Sequence, residues 1–291
     1  MNTSAVSVVI ATRNRRDELA RTLVTLSRLV AGGEIAEVIV VDNGSTDRTA
    51  DLVRQEFPQV TLVPLDDNRG AAGRTAGVRR ATSPYVAFSD DDSWWQPGAL
   101  PRAAELLARH PRLGLVAARL VVGPEGRMDP VAEAMRESPL PVRDGLPGRP
   151  VLGFVACAAV VRREAYLAVG GFLELLGVGG EEELLACDLA AAGWHLAYVD
   201  DVVAEHWPSA ARDRAGRQVI QRRNDALVRW MRRPLPDALA ATVALAGKAP
   251  ADPIARRALA ATLTRLPAAL RRRHRLPPEV EQDLRLLARQ G

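Results

Sequence analysis

Between residues 6 and 88, four strand-length apolar runs alternate with helix-length segments, and each run ends in polar residues. The runs are residues 6–11, 37–41, 60–65 and 85–88. Between the first two, Leu19, Leu23, Leu26 and Val30 recur at helical spacing. After the second, Ser45 is an expected N-cap for a helix carrying Ala50, Leu52, Val53 and Phe57. Alternation at such short intervals predicts an α/β fold, a Rossmann-like and mostly parallel sheet flanked by helices and joined by right-handed crossovers. Every loop that follows a strand then opens on one edge. Those loops, 12–14, 42–45, 66–70 and 89–95, bring together Thr12, Arg13, Asn14, Asp42, Asp66, Asp67, Asn68, Arg69, Asp90, Asp91 and Asp92. Polar residues at strand C-termini are what a nucleotide site requires.

The last of these loops carries the sharpest chemistry. Asp90, Asp91 and Asp92 leave the end of the buried run Tyr85-Val86-Ala87-Phe88. Adjacent carboxylates repel one another and favour a nearby cation. Hard divalent ions such as Mg²⁺ or Mn²⁺ take oxygen ligands and share them with substrate phosphates. The plain alternative is a solvated acidic turn.

The rest of the chain bounds the class. Its 291 residues suffice for a real core, as one large domain or a domain with an extension. It has no 18-residue apolar run, and Met1-Asn2-Thr3-Ser4 lacks the regions of a secretory signal. Cys157 and Cys187 lack metal-ligand spacing and read as buried thiols. A cytoplasmic protein is the expectation. The net charge of +4 is modest, and arginine dominates the basic residues. Aromatics make up only 4% of the chain and do not interleave with the arginines, so nucleic acid is not the expected partner.

Residues 123–150 hold Pro124, Pro130, Pro139, Pro141, Pro147 and Pro150 and read as a long loop that could act as a lid. A strand is expected over 152–161, a helix over 181–192 and a strand over 195–199. Beyond about 210 the pattern is helical, Arg-rich and divided by Pro234, Pro236, Pro250, Pro253, Pro267, Pro277 and Pro278. A division into a catalytic domain, 1–210, and a helical C-terminal extension, 211–291, follows. The arginines of the extension could touch an anionic membrane surface or a partner, and a homo-oligomer is left open.

Taken in order, Val8-Val9-Ile10-Ala11-Thr12-Arg13-Asn14, Val40-Val41-Asp42-Asn43-Gly44-Ser45-Thr46-Asp47, Asn68-Arg69-Gly70, Gly73-Arg74 and Asp90-Asp91-Asp92 resemble family 2 glycosyltransferases of the GT-A fold. The resemblance covers about residues 5–210. It implies transfer of a sugar from a nucleotide diphosphate donor, usually UDP- or dTDP-linked, to an acceptor hydroxyl of a glycan, a lipid-linked sugar or a small molecule. The aspartates would be the family's DxD motif, with Asp90 toward ribose and metal, and Asp92 on the metal. Asp91 could exchange with Asp92. Asp42 would bind the base, in a pocket lined by Ala11, Thr12, Arg13 and Asn14. Asn68, Gly70, Gly73 and Arg74 would approach phosphate or sugar through backbone N–H groups and charge.

The resemblance also implies a base for an inverting transfer at the helix start Gly180-Glu181-Glu182-Glu183, with Glu182 first and Glu181 or Glu183 as alternatives. It places His206 on the metal with Asp92. Trp94, Trp95 and Trp207 would lie near the crevice or in the core, and Arg222-Arg223-Asn224 would approach the diphosphate. Thr75 stands where the family commonly has Asn. Two rivals remain at this point, a nucleotidyltransferase and a non-catalytic nucleotide-sugar-binding module. Against the first, residues 12–16 contain no glycine.

Overall fold

The computed structural model describes residues 4–208 and 214–289. Its strands are β1 (Val6–Thr12), β2 (Glu37–Asn43), β3 (Thr61–Leu65), β4 (Tyr85–Ser89), β5 (Ser93–Trp95), β6 (Leu113–Val122), β7 (Arg127–Met128), β8 (Arg149–Pro150), β9 (Ala159–Arg162) and β10 (His195–His206). Its helices are α1 (Arg16–Ala31), α2 (Thr49–Glu56), α3 (Gly73–Arg80), α4 (Ala99–Arg109), α5 (Pro130–Arg136), α6 (Arg163–Ala168), α7 (Glu181–Ala191), α8 (Arg214–Arg232), α9 (Leu235–Lys248), α10 (Pro253–Arg271) and α11 (Pro278–Leu287).

The main sheet runs β3-β2-β1-β4-β9-β6-β10-β5. Its first four strands are parallel, as the alternation predicts. Their interior is almost continuously apolar because both faces are covered: Val8, Val9, Ile10, Ile39, Val40 and Phe88 are fully buried. On one face α3 comes so close that a Cβ on Gly77 would lie 2.5 Å from the Val9 side chain.

The second half departs from the expectations. The strand expected over 152–161 begins only at Ala159 and runs antiparallel, inserted between β4 and β6. Residues 96–122, for which no element was expected, supply α4 and β6, and β6 then pairs in parallel with β10. The segment 123–150 is not one long loop. Pro130 occupies the first turn of α5, where its missing N–H costs nothing, and the Asp129 carboxylate caps the helix by accepting from Val131 N–H at 2.8 Å. Ser45 is not a cap either: α2 starts at Thr49, whose N–H donates to Asp47 Oδ1 at 3.1 Å. The strand expected over 195–199 continues to His206 through a register shift between Val199 and Val203. That extension brings a histidine to the polar edge.

The proposed boundary at residue 210 lies outside the described residues. Beyond it, prolines do open α9, α10 and α11, but Pro267 sits inside α10. These helices share cores with residues between 140 and 187. Leu227, Val228, Met231 and Ala269 pack with Leu176 and Leu184, and Leu276, Val280 and Leu284 pack with Leu140, Leu152 and Cys187. An ion pair locks the junction. Arg232, 6% exposed, holds Asp188 of α7 through Nη2–Oδ2 at 2.8 Å, and its Nη1 donates to the Arg272 carbonyl at 2.9 Å.

Removing one partner of a buried pair leaves the other charge uncompensated. Asp188→Ala is therefore expected to destabilise the protein by about 3–5 kcal/mol in urea denaturation. The double variant Asp188→Leu/Arg232→Met, which removes both charges, should recover most of that loss. Equal loss in the two variants would show that the pair is not what couples α8 to α7.

Candidate active site

The turn after β4 separates the three aspartates. Asp90 N–H donates to Ser93 Oγ at 2.7 Å, and Ser93 N–H returns to the Asp90 carbonyl at 3.3 Å. This tight turn sends successive carboxylates in different directions. Asp91 points back beneath β1. Its Oδ2 accepts from Thr12 Oγ at 2.9 Å, and its carbonyl accepts from Thr22 Oγ at 2.8 Å. Burial, and then the charge on Asp90, push the Asp91 carboxyl up to about 7.

Asp90 and Asp92 face the other way. Antiparallel pairing sets His206 opposite Ser93, and Trp207 N–H donates to the Asp92 carbonyl at 2.8 Å. His206 Nε2 then lies 3.1 Å from Asp92 Oδ1. One ligand atom each from Asp90, Asp92 and His206 falls within 4.8 Å of the others. Two carboxylate oxygens and an imidazole nitrogen converging on one point, at the rim of a polar crevice, form a donor set that fits a divalent first-row ion or Mg²⁺.

The loops of β1 and β2 are stapled beside this triad. Asn14, at φ 53°, donates its N–H to Ser45 Oγ at 2.9 Å, and its Oδ1 accepts from Thr46 N–H at 2.8 Å. Asp42 is buried, and its Oδ1 accepts from Ser45 N–H at 3.0 Å. Its second carboxylate oxygen is not used in that turn. Ala11 is half-buried, and Arg13 is exposed.

The Gly-rich segment packs on the neighbouring loop. Asn68 Oδ1 accepts from Gly70 N–H at 3.0 Å, and Asn43 Nδ2 donates to the Gly70 carbonyl at 3.1 Å. Gly70 has φ +58°, and a Cβ there would lie 2.7 Å from the Gly177 backbone. Ala71 N–H donates to the Gly177 carbonyl at 3.0 Å. A Cβ on Gly73 would lie 2.5 Å from Asn43 Oδ1. Only glycine allows these approaches.

Arg74 joins the two halves of the site. It is 8% exposed, so it is not a solvent-facing helix arginine, and its Nη2 is ion-paired with Asp90. It also lies close enough to Glu181 and Glu182 to interact with their charge. Glu181, 3% exposed, has a buried Oε2 without a hydrogen-bond partner among the described residues. Burial raises the carboxyls of Glu181 and Glu182, and the charge of Glu181 raises Glu182 further. Glu183 is also raised by burial, but its charged neighbours are Asp225, Arg229 and Arg233. It belongs to the α8 side, away from Arg74. The Thr75 hydroxyl hydrogen-bonds Tyr166 Oη at 2.8 Å, and Tyr166 Oη accepts from Phe172 N–H at 3.0 Å.

Arg222, Arg223 and Asn224 do not approach this crevice as a group. Arg222 pairs with Asp252, while Arg223 and the fully buried Asn224 both donate to the Leu176 carbonyl. Asn224 Nδ2 also donates to the carbonyl of Gly179, directly before the helix that carries Glu181 and Glu182. Sequence reasoning missed this bracing role, and an Asn inside a basic amphipathic helix gives little local sign of it. It also missed Glu205, whose carboxylate accepts from Trp94 Nε1 at 3.2 Å, Gln96 Nε2 at 3.0 Å and Trp207 Nε1 at 3.3 Å. The Trp94 and Trp207 rings stack at 5.8 Å beside His206, whereas Trp95 is buried in the core.

No helix among the described residues is long and apolar enough to cross a membrane. In solved structures, the chain resembles mannosyltransferase PcManGT from Pyrobaculum calidifontis, in complex with GDP-Man and Mn²⁺, with a TM-score of 0.59 and 23% identity over 98% of this chain and 86% of that one. It also resembles S. aureus TarS 1-349, with a TM-score of 0.58 and 18% identity over 89% and 71% of the two chains. Among curated proteins, the N-acetylglucosaminyl-diphospho-decaprenol L-rhamnosyltransferase of Mycobacterium tuberculosis is 28% identical over 84% of this chain and 92% of its own length. The validoxylamine A glucosyltransferase of Streptomyces hygroscopicus subsp. limoneus is 44% identical over 29% of this chain and 20% of its own length. The model of the family described as Glycosyl transferase family 2 matches residues 7–170. With that match over more than half of its length and a GT-A sheet beneath the site, the chain belongs to glycosyl transferase family 2 and is a glycosyltransferase.

Proposed function

We propose that the protein transfers a sugar from a nucleotide diphosphate donor, UDP- or dTDP-linked, to an acceptor hydroxyl with inversion, and that it works with Mn²⁺ or Mg²⁺. The observation that carries this reading is the position of Arg74. One buried guanidinium stands between the Asp90–Asp92–His206 cluster and the Glu181–Glu182 pair, so a place for a charged leaving group and a candidate base share one crevice. The rhamnosyltransferase from M. tuberculosis acts, by its name, on a sugar linked through diphosphate to decaprenol. A lipid-linked acceptor of that class is the one we favour here. Residues 1–210 form the catalytic unit and residues 211–291 a helical extension that braces it.

Asp90, Asp92 and His206 would hold the cation, which when bound would supply positive charge against the developing nucleotide diphosphate. Asp42 fixes the base through its second oxygen, while Thr12 and Asn14 shape the pocket wall beside Ala11 and Arg13. The Gly70 and Ala71 N–H groups of the Asn68–Gly73 turn are engaged by Asn68 and Gly177, so the part of this turn is to set the start of the helix that carries Arg74. Arg74 holds Asp90 in place and lowers the cost of gathering carboxylates there. The acceptor oxygen attacks the anomeric carbon, the bond to the phosphate oxygen breaks with its electron pair leaving on the nucleotide diphosphate, and the acceptor proton passes to Glu182. With Glu182 as the single base, this is one displacement, hence inversion.

Five outcomes test the reading. A donor screen covering UDP-, dTDP- and GDP-sugars, read as nucleotide diphosphate release, should be silent after chelation and restored by Mn²⁺. Asp92→Asn should raise the half-saturating Mn²⁺ concentration by at least about tenfold, on the scale by which metal-site changes weaken affinity; release that ignores chelator would end the metal reading. Glu182→Gln should lower kcat by about 10²–10⁴ with the donor KM little changed. Because the folded environment raises the Glu182 pKa, the basic form disappears as pH falls through that raised value. The acidic limb of kcat/KM is therefore expected near about 8 rather than in the ordinary carboxylate range, and Glu181→Gln should move it down by removing the neighbouring charge. A limb at ordinary carboxylate pH would remove Glu182 as base. Asn224→Ala should depress kcat about tenfold or more, because misplacing the base by about an ångström has that effect. It should leave the half-saturating Mn²⁺ concentration unchanged, which a general loss of structure would not.

A further inference from the structure

The α9–α10 hairpin carries a surface unlike the rest of the molecule. Leu235, Leu239 and Val243, at i, i+4 and i+8 on α9, are 51%, 51% and 67% exposed. Leu263 and Leu270, at i and i+7 on α10, are 50% and 44% exposed. Both helices rest on α8 through other residues: Leu245, Ala255 and Ala258 pack with Ala226, and Ala269 packs with Met231. The exposed leucines and valine therefore form stripes on sides that α8 leaves uncovered. Between Asp237 and Lys248, α9 offers no charged side chain, and its Thr242 hydroxyl is already engaged by Trp230 Nε1 at 2.9 Å and the Ala238 carbonyl at 3.1 Å. Stripes of this kind on a soluble surface mark a contact.

The charge at both ends of the hairpin identifies the contact. Lys248, Arg256 and Arg257 lie at the end where α9 turns into α10, with Arg256 Nη1 donating to the Ala249 carbonyl. Arg271 and Arg272 lie at the other end, where Arg273 ties α10 to the carbonyl of Arg233, at the start of α9. These five cations are exposed, and none enters an ion pair among the described residues. The two acids of the hairpin are already paired, Asp237 with Arg233 and Asp252 with Arg222. An apolar stripe between two cationic ends is complementary to an anionic lipid surface, where apolar side chains enter the headgroup boundary and cations meet lipid phosphates.

We propose that the α9–α10 hairpin docks the protein on the surface of an anionic lipid bilayer. The docking is peripheral and needs no spanning helix. It is independent of which donor or acceptor the active site takes, because the face lies on the extension and uses none of the residues of the crevice.

Vesicle flotation of the full chain tests it. Vesicles of about one-third phosphatidylglycerol in phosphatidylcholine should bind at least about tenfold more tightly than pure phosphatidylcholine, and the binding should weaken with salt. Leu239→Glu/Val243→Glu and Arg256→Glu/Arg257→Glu should each reduce binding about tenfold or more, while Val24→Glu, an exposed apolar change on α1, should not. Circular dichroism melting and nucleotide diphosphate release, both expected unchanged in these variants, separate a lost surface from a lost fold. The proposal is overturned if the native chain stays unbound at low salt, or if the hairpin variants float as the native chain does. It is equally overturned if light scattering shows a dimer that Leu239→Glu/Val243→Glu breaks while vesicle binding is absent, since the stripe would then be covered by a second copy.

Discussion

Carboxyl groups outnumber buried cations at this site, and the rest of it follows from that imbalance. Asp90, Asp91 and Asp92 come from the end of β4, and Glu181 and Glu182 from the start of α7, while Arg74 is the buried cation that Asp90, Glu181 and Glu182 share. Burying uncompensated carboxylates is costly, and a protein can answer with a proton, a hydrogen bond or a cation. Each answer is used at a different residue. Asp91 takes a hydroxyl from Thr12 and a raised pKa. Glu181 and Glu182 hold protons more tightly than free carboxyls do. Asp90 takes Arg74, and Asp92 lies against His206. What is left is an oxygen-rich point with too little positive charge, which suits a metal and a phosphate arriving together.

Much of this was legible in the sequence where the signal is local. An apolar run ending in Asp90-Asp91-Asp92 places carboxylates on a strand end without further information, and the first four strands came from period and spacing alone. The separation of Asp91 from Asp92 was not legible, because it depends on Ser93 closing the turn and on Thr12, 79 positions away, receiving the middle carboxylate. The antiparallel insertion of β9 was hidden for a related reason: strand direction is a property of the neighbours, not of the run itself. In the segment 123–150 the reasoning erred in the opposite direction. Proline density was read as disruption, although a proline at the first turn of α5 helps to start that helix.

The choice among Glu181, Glu182 and Glu183 shows the same limit. Three successive glutamates in a first helical turn are alike in sequence and differ by 100° steps in space. Arg74 marks two of them as facing the crevice, and Asp225 and Arg229 mark the third as facing α8. Nothing within ten residues of the triplet carries that information.

Helix α8 is where the two halves of the chain become one machine. Its Asn224 and Arg223 hold the carbonyls at Leu176 and Gly179, the same loop receives Ala71 through the Gly177 carbonyl, and Gly70 tolerates that approach only because it lacks a Cβ. The loop therefore touches the Asn68–Gly73 turn on one side and the candidate base on the other. On its far side α8 carries α9 and α10 with their exposed stripes. A force applied to the hairpin by a lipid surface would reach Gly179 through one helix and no flexible link among the described residues. With the hairpin docked as proposed, its outer face would set where the crevice stands relative to a bilayer.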